Sequence, residues 1–270
     1  MKKSGFGSII NKKHTERIKD MKLGAQFYSI RTKTTTPEDL KASFKAMKEI
    51  GYEVSQMSAI CKIDPYVLKS YADEYELPIV CTHSPFDRIV NDTEALIEEH
   101  KIYGCPVIGL GAMGGEYRGS LEGLKKFVAD MEAPIKKIRD AGLYFSYHNH
   151  AFEFEMKDGV LPYDYLIENS PEMTFILDTY WVKHGGYSYL DYIKRLGKER
   201  ITNMHFKDMK EEPKGPICPC GEGTIDFKPV IELCDSLGIE TALVEQDNAP
   251  DFGDPWDQMA ISYKNLKPLF

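Results

Sequence analysis

Four short apolar runs, far apart in the chain, each end in a residue of the kind that binds a divalent metal. Leu143-Tyr144-Phe145-Ser146-Tyr147 runs into His148, Asn149 and His150, with Glu153 close behind; Phe175-Ile176-Leu177 ends in Asp178; Asn203-Met204 precedes His205; and Ala242-Leu243-Val244 ends in Glu245. One such residue alone is commonly a cap or a satisfied core group. Four of them call for a fold that gathers strand ends in one place. A parallel β/α barrel does this, because its active site is built at the C-terminal ends of its strands.

The rest of the chain alternates in the same sense. Residues 23–30 read as a first strand. Thr36-Pro37-Glu38-Asp39 then opens a helix, with Thr36 as N-cap and Pro37 in the first turn; Leu40, Phe44, Met47 and Ile50 follow at helical spacing, and Gly51 stops it. Further strands are expected over 52–57, 78–83, 106–110, 143–147, 173–177, 201–206 and 241–244. Helices are expected over 64–75, 92–103, 120–141, 162–169, 189–196, 227–237 and 256–266. Strands alternating with helices imply a parallel sheet. Eight such units in 270 residues predict a single-domain α/β fold, a (β/α)8 TIM barrel over residues 21–270, preceded by a basic arm at residues 1–20. The pattern G-x-G-x-x-G occurs at Gly109 to Gly114, but after the fourth strand and well before the next helix at Ser120, so it reads as a barrel-top loop rather than a dinucleotide fingerprint.

Composition narrows the function. A net charge of -8 with pI near 5.5 argues against nucleic-acid binding, which wants basic stripes. No run approaches the roughly 20 apolar residues of a membrane span, and Ile9-Ile10 is too short for a signal peptide. The six cysteines form no CxxC pair, and Cys218 and Cys220 read as loop thiols, so a reducing, cytoplasmic setting is expected. Asp178, His205, Glu245 and one residue of the fifth segment make a set of three oxygens and one nitrogen, suited to Mn²⁺, Mg²⁺, Co²⁺ or Zn²⁺. Such an ion polarises a carbonyl or hydroxyl. Enolisation beside a carbonyl then needs a base, for which His148, His150 and the carboxylates are available.

The sequence resembles the sugar phosphate isomerase/epimerase group of xylose-isomerase-like TIM barrels over Leu23 to Phe270. The resemblance rests on Leu23-Gly24-Ala25-Gln26-Phe27-Tyr28-Ser29, Glu49-Ile50-Gly51-Tyr52, Tyr147-His148-Asn149-His150-x-Phe152-Glu153-Phe154, Leu177-Asp178-Thr179-Tyr180-Trp181-Val182, His205-Phe206-Lys207-Asp208, Gly221 to Phe227, and Val244-Glu245-Gln246-Asp247. It implies one divalent metal, Mn²⁺ first, held by Asp178, His205, Glu245 and a fifth-segment group. Many members carry Glu where this chain has His148, so either His148 binds directly or Glu153 reaches back; Glu153 is the expected ligand. His148, His150 and Glu245 are the expected acid/base groups. Gln26, Tyr28, His83, Trp181, Lys207 and the loop residue Glu222 are expected to contact substrate.

The implied function is an isomerase or epimerase acting on a sugar or sugar phosphate by proton abstraction next to a carbonyl. Ketose 3-epimerases of this fold carry a His where this chain has Trp181 and an Arg where it has Glu211, which argues against a free-ketose epimerase. The alternative is a metal-dependent lyase, a dehydratase or β-eliminase on an inosose, 3-keto-sugar or keto-glycoside. An endonuclease IV-like hydrolase and a non-catalytic subunit rank below these. The expected partner is a small carbohydrate or cyclitol, with a homo-oligomer or partner subunit possible.

Overall fold

Capping chemistry sets the first helix where the sequence predicts it. In the computed structural model, which describes residues 21–270, the Thr36 hydroxyl accepts from the Asp39 N–H and α1 (Pro37–Ile50) ends on Gly51 at φ 119°. The basic arm read at residues 1–20 lies outside the described residues. Seven more long helices follow: α2 (Pro65–Glu74), α3 (Thr93–Tyr103), α4 (Leu121–Asp140), α5 (Pro162–Asn169), α6 (Tyr189–Arg200), α7 (Phe227–Leu237) and α8 (Pro255–Leu266). None of the described helices is long and apolar enough to cross a membrane.

Eight parallel strands alternate with these helices: β1 (Lys22–Gln26), β2 (Val54–Met57), β3 (Ile79–His83), β4 (Val107–Leu110), β5 (Tyr144–His148), β6 (Thr174–Asp178), β7 (Ile201–Phe206) and β8 (Thr241–Val244). They close into a barrel, with β1 hydrogen-bonded to both β2 and β8. The larger apolar core lies between the outer face of the barrel and the helices, and includes Phe44, Phe127, Phe175, Phe206 and Val230. A separate small cluster, Val54, Cys81, Val107, Ile176 and Leu243, takes one residue from each of five strands and plugs the barrel interior.

That plug positions the site. Side chains alternate across a strand, so residues two positions further along face the same side. Beyond Val54 comes Gln56, beyond Cys81 His83, beyond Ile176 Asp178, and beyond Leu243 Glu245. The apolar layer is the floor, and the next layer is polar. The layer beneath is polar as well: Ser146, Thr174 and Thr202 share hydroxyl hydrogen bonds, and Thr241 donates to Asn203 at 2.5 Å. Gly109 permits the close approach of β3 and β4, since a Cβ there would meet the Thr82 carbonyl oxygen at 2.2 Å.

The differences from the sequence reading are local. The first strand stops at Gln26 rather than Ile30, because the Gln26 side chain accepts from the Tyr28 N–H and turns the chain into a 3-10 helix, Phe27–Lys33. Three short helices, Phe86–Asn91, Gly115–Arg118 and Thr179–His184, lie in segments for which no helix is expected from sequence. Helix α6 runs on to Arg200 through a kink at Gly197, whose φ is 58°. The segment after β7 forms a two-residue ribbon, Asp208–Met209 paired with Ile217–Cys218.

Candidate metal centre

Four strand ends converge. His148 from β5, Asp178 from β6, His205 from β7 and Glu245 just past β8 offer ligand atoms that all lie within 4.8 Å of one another, and all four side chains are buried. Neighbouring groups fix the direction in which each one faces. The Gly111 carbonyl can only accept, so His148 donates from Nδ1 at 3.1 Å and turns the Nε2 lone pair toward Asp178 Oδ2 at 3.3 Å and Glu245 Oε2 at 3.7 Å. Gln56 Oε1 accepts from His205 Nε2 at 2.7 Å, which leaves the Nδ1 lone pair facing Glu245 Oε2 at 2.9 Å and Asp178 Oδ2 at 4.0 Å. Two lone pairs and two carboxylate oxygens thus face one point. Unprotonated, these groups repel; a cation among them converts repulsion into bonds. Ligating histidines are commonly oriented through a hydrogen bond from the other ring nitrogen.

The carboxylates are themselves oriented. Asp178 Oδ1 caps the helix Thr179–His184 by accepting from the Trp181 N–H at 3.0 Å, which leaves Oδ2 for the centre. Asn149, between His148 and His150, clamps the same strand end by accepting from the Asp178 N–H at 3.0 Å. Glu245 Oε1 accepts from the Gln26 amide at 2.9 Å.

Lys207 is the cation in this set. Its ammonium lies 3.2 Å from Asp178 Oδ2, 2.9 Å from Glu245 Oε2 and 3.1 Å from Asp247 Oδ1, and the side chain is 1% exposed. Burial works against its charge, yet the three carboxylates hold its pKa well above the usual lysine range. Burial raises Asp178 and Asp247, while Glu245 is held well below the usual range because the Lys207 ammonium outweighs the effect of its burial. Burial, and then the neighbouring imidazoles, push His148 and His150 well below ordinary histidine, so both rings are neutral near pH 7.

A half-buried ring of residues surrounds the centre. The His83 ring lies 5.2 Å from that of His148 and 5.6 Å from that of His205, and His83 Nδ1 pairs with Ser58 Oγ at 3.3 Å. His150 lies 4.7 Å from His148 and 5.3 Å from Trp181 by ring centroids. Gln56 Nε2, His83 Nε2, His150 Nδ1 and Trp181 Nε1 are shielded from solvent and have no protein partner. Beside His83 a cleft of about 690 Å³ opens between the loops after β2 and β3, within the usual size range of small-molecule sites.

Residues 44–260 match the family described as the xylose isomerase-like TIM barrel. The chain belongs to that family. Solved structures with the same fold include two sugar phosphate isomerase/epimerases from Parabacteroides distasonis. One is 20% identical, with a TM-score of 0.75 over 91% of this chain and 98% of that one; the other is 17% identical, with a TM-score of 0.77 over 92% and 94%. The probable 3-DHS dehydratase AsbF of Bacillus anthracis is 15% identical, with a TM-score of 0.69 over 92% of this chain and 99% of its own. No functionally curated protein matches the chain. At such identities the likeness is one of fold, and the activity each neighbour is named for is its own.

In this xylose isomerase-like barrel the structure gathers His148, His150, Asp178, His205, Glu245, Lys207, Gln26, His83 and Trp181. Three of the expected residues lie apart from the four-residue cluster. Glu153 is not in the cluster: its Oε1 accepts from the Tyr147 hydroxyl and its Oε2 from the His150 N–H at 2.7 Å, so both oxygens are engaged in holding the loop after β5. Tyr28 lies half-buried in the 3-10 turn with the Arg31 guanidinium 4.3 Å from its ring centre, and its link to the cluster runs through its backbone N–H, which donates to the Gln26 side chain that in turn donates to Glu245. Glu222 is exposed, and its loop is pinned rather than loose, because Asp208 accepts from the backbone N–H groups of Gly221, Gly223 and Ile225. Lys207 is fully inside. Gln56 and Asp247 were given no role from sequence. Gln56 stands two positions beyond Val54, so alternation along β2 could have found it; Asp247 follows the strand end, and only its contact with Lys207 shows its part.

Proposed function

We propose that this protein is a divalent-metal-dependent isomerase or epimerase of a sugar or sugar phosphate that removes a proton next to a carbonyl. The observation carrying this reading is the convergence of two imidazole lone pairs and two carboxylate oxygens beneath a ring of unpartnered polar atoms. His148, Asp178, His205 and Glu245 would hold the ion. With His148 in place of Glu153 the donors become two nitrogens and two oxygens, which moves the preference from Mg²⁺ toward Zn²⁺, Co²⁺ or Mn²⁺. A bound ion would supply Lewis acidity toward a carbonyl or hydroxyl of the substrate.

The chain's own groups account for the remaining roles. His150 is neutral, with Nδ1 free, so it can accept the proton. Phe152 stacks on it at 5.8 Å with the planes 10° apart, and Trp181 flanks it, which keeps the ring in place and limits water around it. Gln56 and His83 present polar atoms suited to substrate hydroxyls, and Trp181 offers an apolar wall.

A lyase is the second reading, and one observation weighs for it, and equally for isomerisation, against epimerisation. Glu245 Oε1 is bonded to Gln26, and Oε2 faces Lys207 and His205, so no oxygen of Glu245 is free to serve as a second base. Inversion at carbon needs a base on each face, whereas elimination and aldose–ketose isomerisation need one. With a keto-sugar or inosose in deuterated water, the expected result is deuterium at the carbon beside the carbonyl, or loss of a label placed there as elimination proceeds. Product formed with that hydrogen fully retained would sink proton abstraction for both readings.

A further inference from the structure

Lys207 takes the same two oxygens, Asp178 Oδ2 and Glu245 Oε2, that face the imidazole lone pairs. A divalent ion bound to those oxygens would stand next to the ammonium, and like charges that close inside a protein repel strongly. Yet the site's charge calls for both cations. Asp178, Glu245 and Asp247 supply three negative charges and Lys207 one positive, leaving a formal −2 that a divalent ion neutralises. Lys207 is therefore needed in the site but misplaced for sharing those oxygens. Asp247 resolves the conflict: both its oxygens already reach the ammonium, at 3.1 and 3.2 Å, and neither belongs to the four-residue cluster. The strand end carrying Asp247 is itself held, since Arg31 donates to its carbonyl at 2.8 Å and to that of Tyr28 at 2.9 Å. The ammonium also lies 5.2 Å from the centre of the Trp181 ring, whose centre is 5.3 Å from that of His150.

We propose that Lys207 is a built-in counter-cation that competes with the metal for Asp178 and Glu245, and that Asp247 is the position to which it withdraws when the metal binds. This rests on the metal-centre reading above. Withdrawn onto Asp247, the ammonium keeps the site neutral and faces the half-buried rim, where it can meet a substrate oxygen.

The test is titration with Mn²⁺, followed by calorimetry, of the full chain stripped by chelator, as wild type, Lys207→Met, Asp247→Asn and the double variant. Removing the competitor should tighten Mn²⁺ binding about tenfold or more, and removing its retreat should weaken binding by a similar factor. In the Lys207→Met background, Asp247→Asn should then have little effect, because no ammonium remains to be housed. The same weakening by Asp247→Asn in both backgrounds would show simple through-space attraction and overturn the proposal. So would Lys207→Met binding Mn²⁺ no better than wild type. Lys207→Met leaves buried carboxylates without a cation, so its stripped form should melt lower than wild type, and Mn²⁺ should raise its Tm by more. A variant that stays unfolded even with Mn²⁺ would mean that the metal cannot replace the ammonium, which also refutes the competition. If the wild-type chain takes up no Mn²⁺, the metal-centre reading fails first and this inference with it; if wild type binds and the cycle is additive, only the inference fails.

Discussion

In the proposed metal centre Glu153 and His148 are rivals for one ligand position, and their backbone neighbours favour His148. His148 ends β5 on the inner face of the barrel, and the Gly111 carbonyl fixes its tautomer. Glu153 lies in the short 3-10 turn Phe152–Phe154, buried but bonded to Tyr147 and to the His150 N–H. His148→Asn is therefore expected to weaken metal binding at least about a hundredfold, roughly 2.7 kcal/mol. Glu153→Gln should leave the metal content of the purified chain nearly unchanged. Elemental analysis and Zn²⁺ or Mn²⁺ titration of the two variants check this; metal lost from Glu153→Gln and kept by His148→Asn would reverse the assignment. Sequence favoured Glu153 because the family resemblance called for a carboxylate on this segment. Whether a side chain five positions past a strand end can reach back depends on the turn between, and there Glu153 is held by the Tyr147 hydroxyl, which itself accepts from the Met113 N–H, distant in sequence.

Elements beyond the barrel are organised by single polar residues. Asp208, directly after Lys207, accepts from the N–H groups of Met209, Gly221, Gly223 and Ile225 at 2.7 to 3.0 Å and so gathers both ends of the loop 210–224. A Cβ at Gly223 would meet Asp208 Oδ1 at 2.4 Å, so that glycine is required for the close approach. Asp208→Ala leaves four backbone donors without their acceptor and is expected to cost about 3 kcal/mol. Cleavage within 210–224 by a dilute protease should quicken well before the barrel unfolds. Unchanged proteolysis there would mean that the ribbon, not Asp208, holds the loop. The Pro/Gly-rich composition of this loop does not show such pinning, because composition reports backbone freedom and not the side chain that removes it.

At the scale of the whole molecule, stability depends on a carboxyl outside the metal cluster. Burial raises the Glu153 pKa from 4.5 to about 7, although Tyr147 and the His150 N–H pull the other way. A folded-state pKa above the unfolded one means that the fold favours the protonated form. Its contribution is fully present below about pH 4.5 and is lost as pH rises through about 7, a change of about 3 kcal/mol between the two limits. Wild type should therefore lose more stability than Glu153→Gln between pH 5 and pH 8, read as urea midpoints in metal-loaded protein. Equal slopes for the two chains would show that Glu153 ionises normally.

The sequence by itself determined the eight strand–helix units and the lone ligand-type residue at each of the later strand ends. Apolar periodicity, N-caps such as Thr36 and stops such as Gly51 are local, so they are written within a few residues of where they act. Asp178, His205 and Glu245 were legible for the same reason: each directly follows, or nearly ends, an apolar run. Only the tertiary structure decided which fifth-strand group joins them. It also decided that Lys207 is buried, that Gln56 meets His205 and Asp247 meets Lys207, and that Glu222 is exposed. Those outcomes depend on which strands become neighbours when the barrel closes and on how far each side chain reaches across the interior, distances that no stretch of sequence contains.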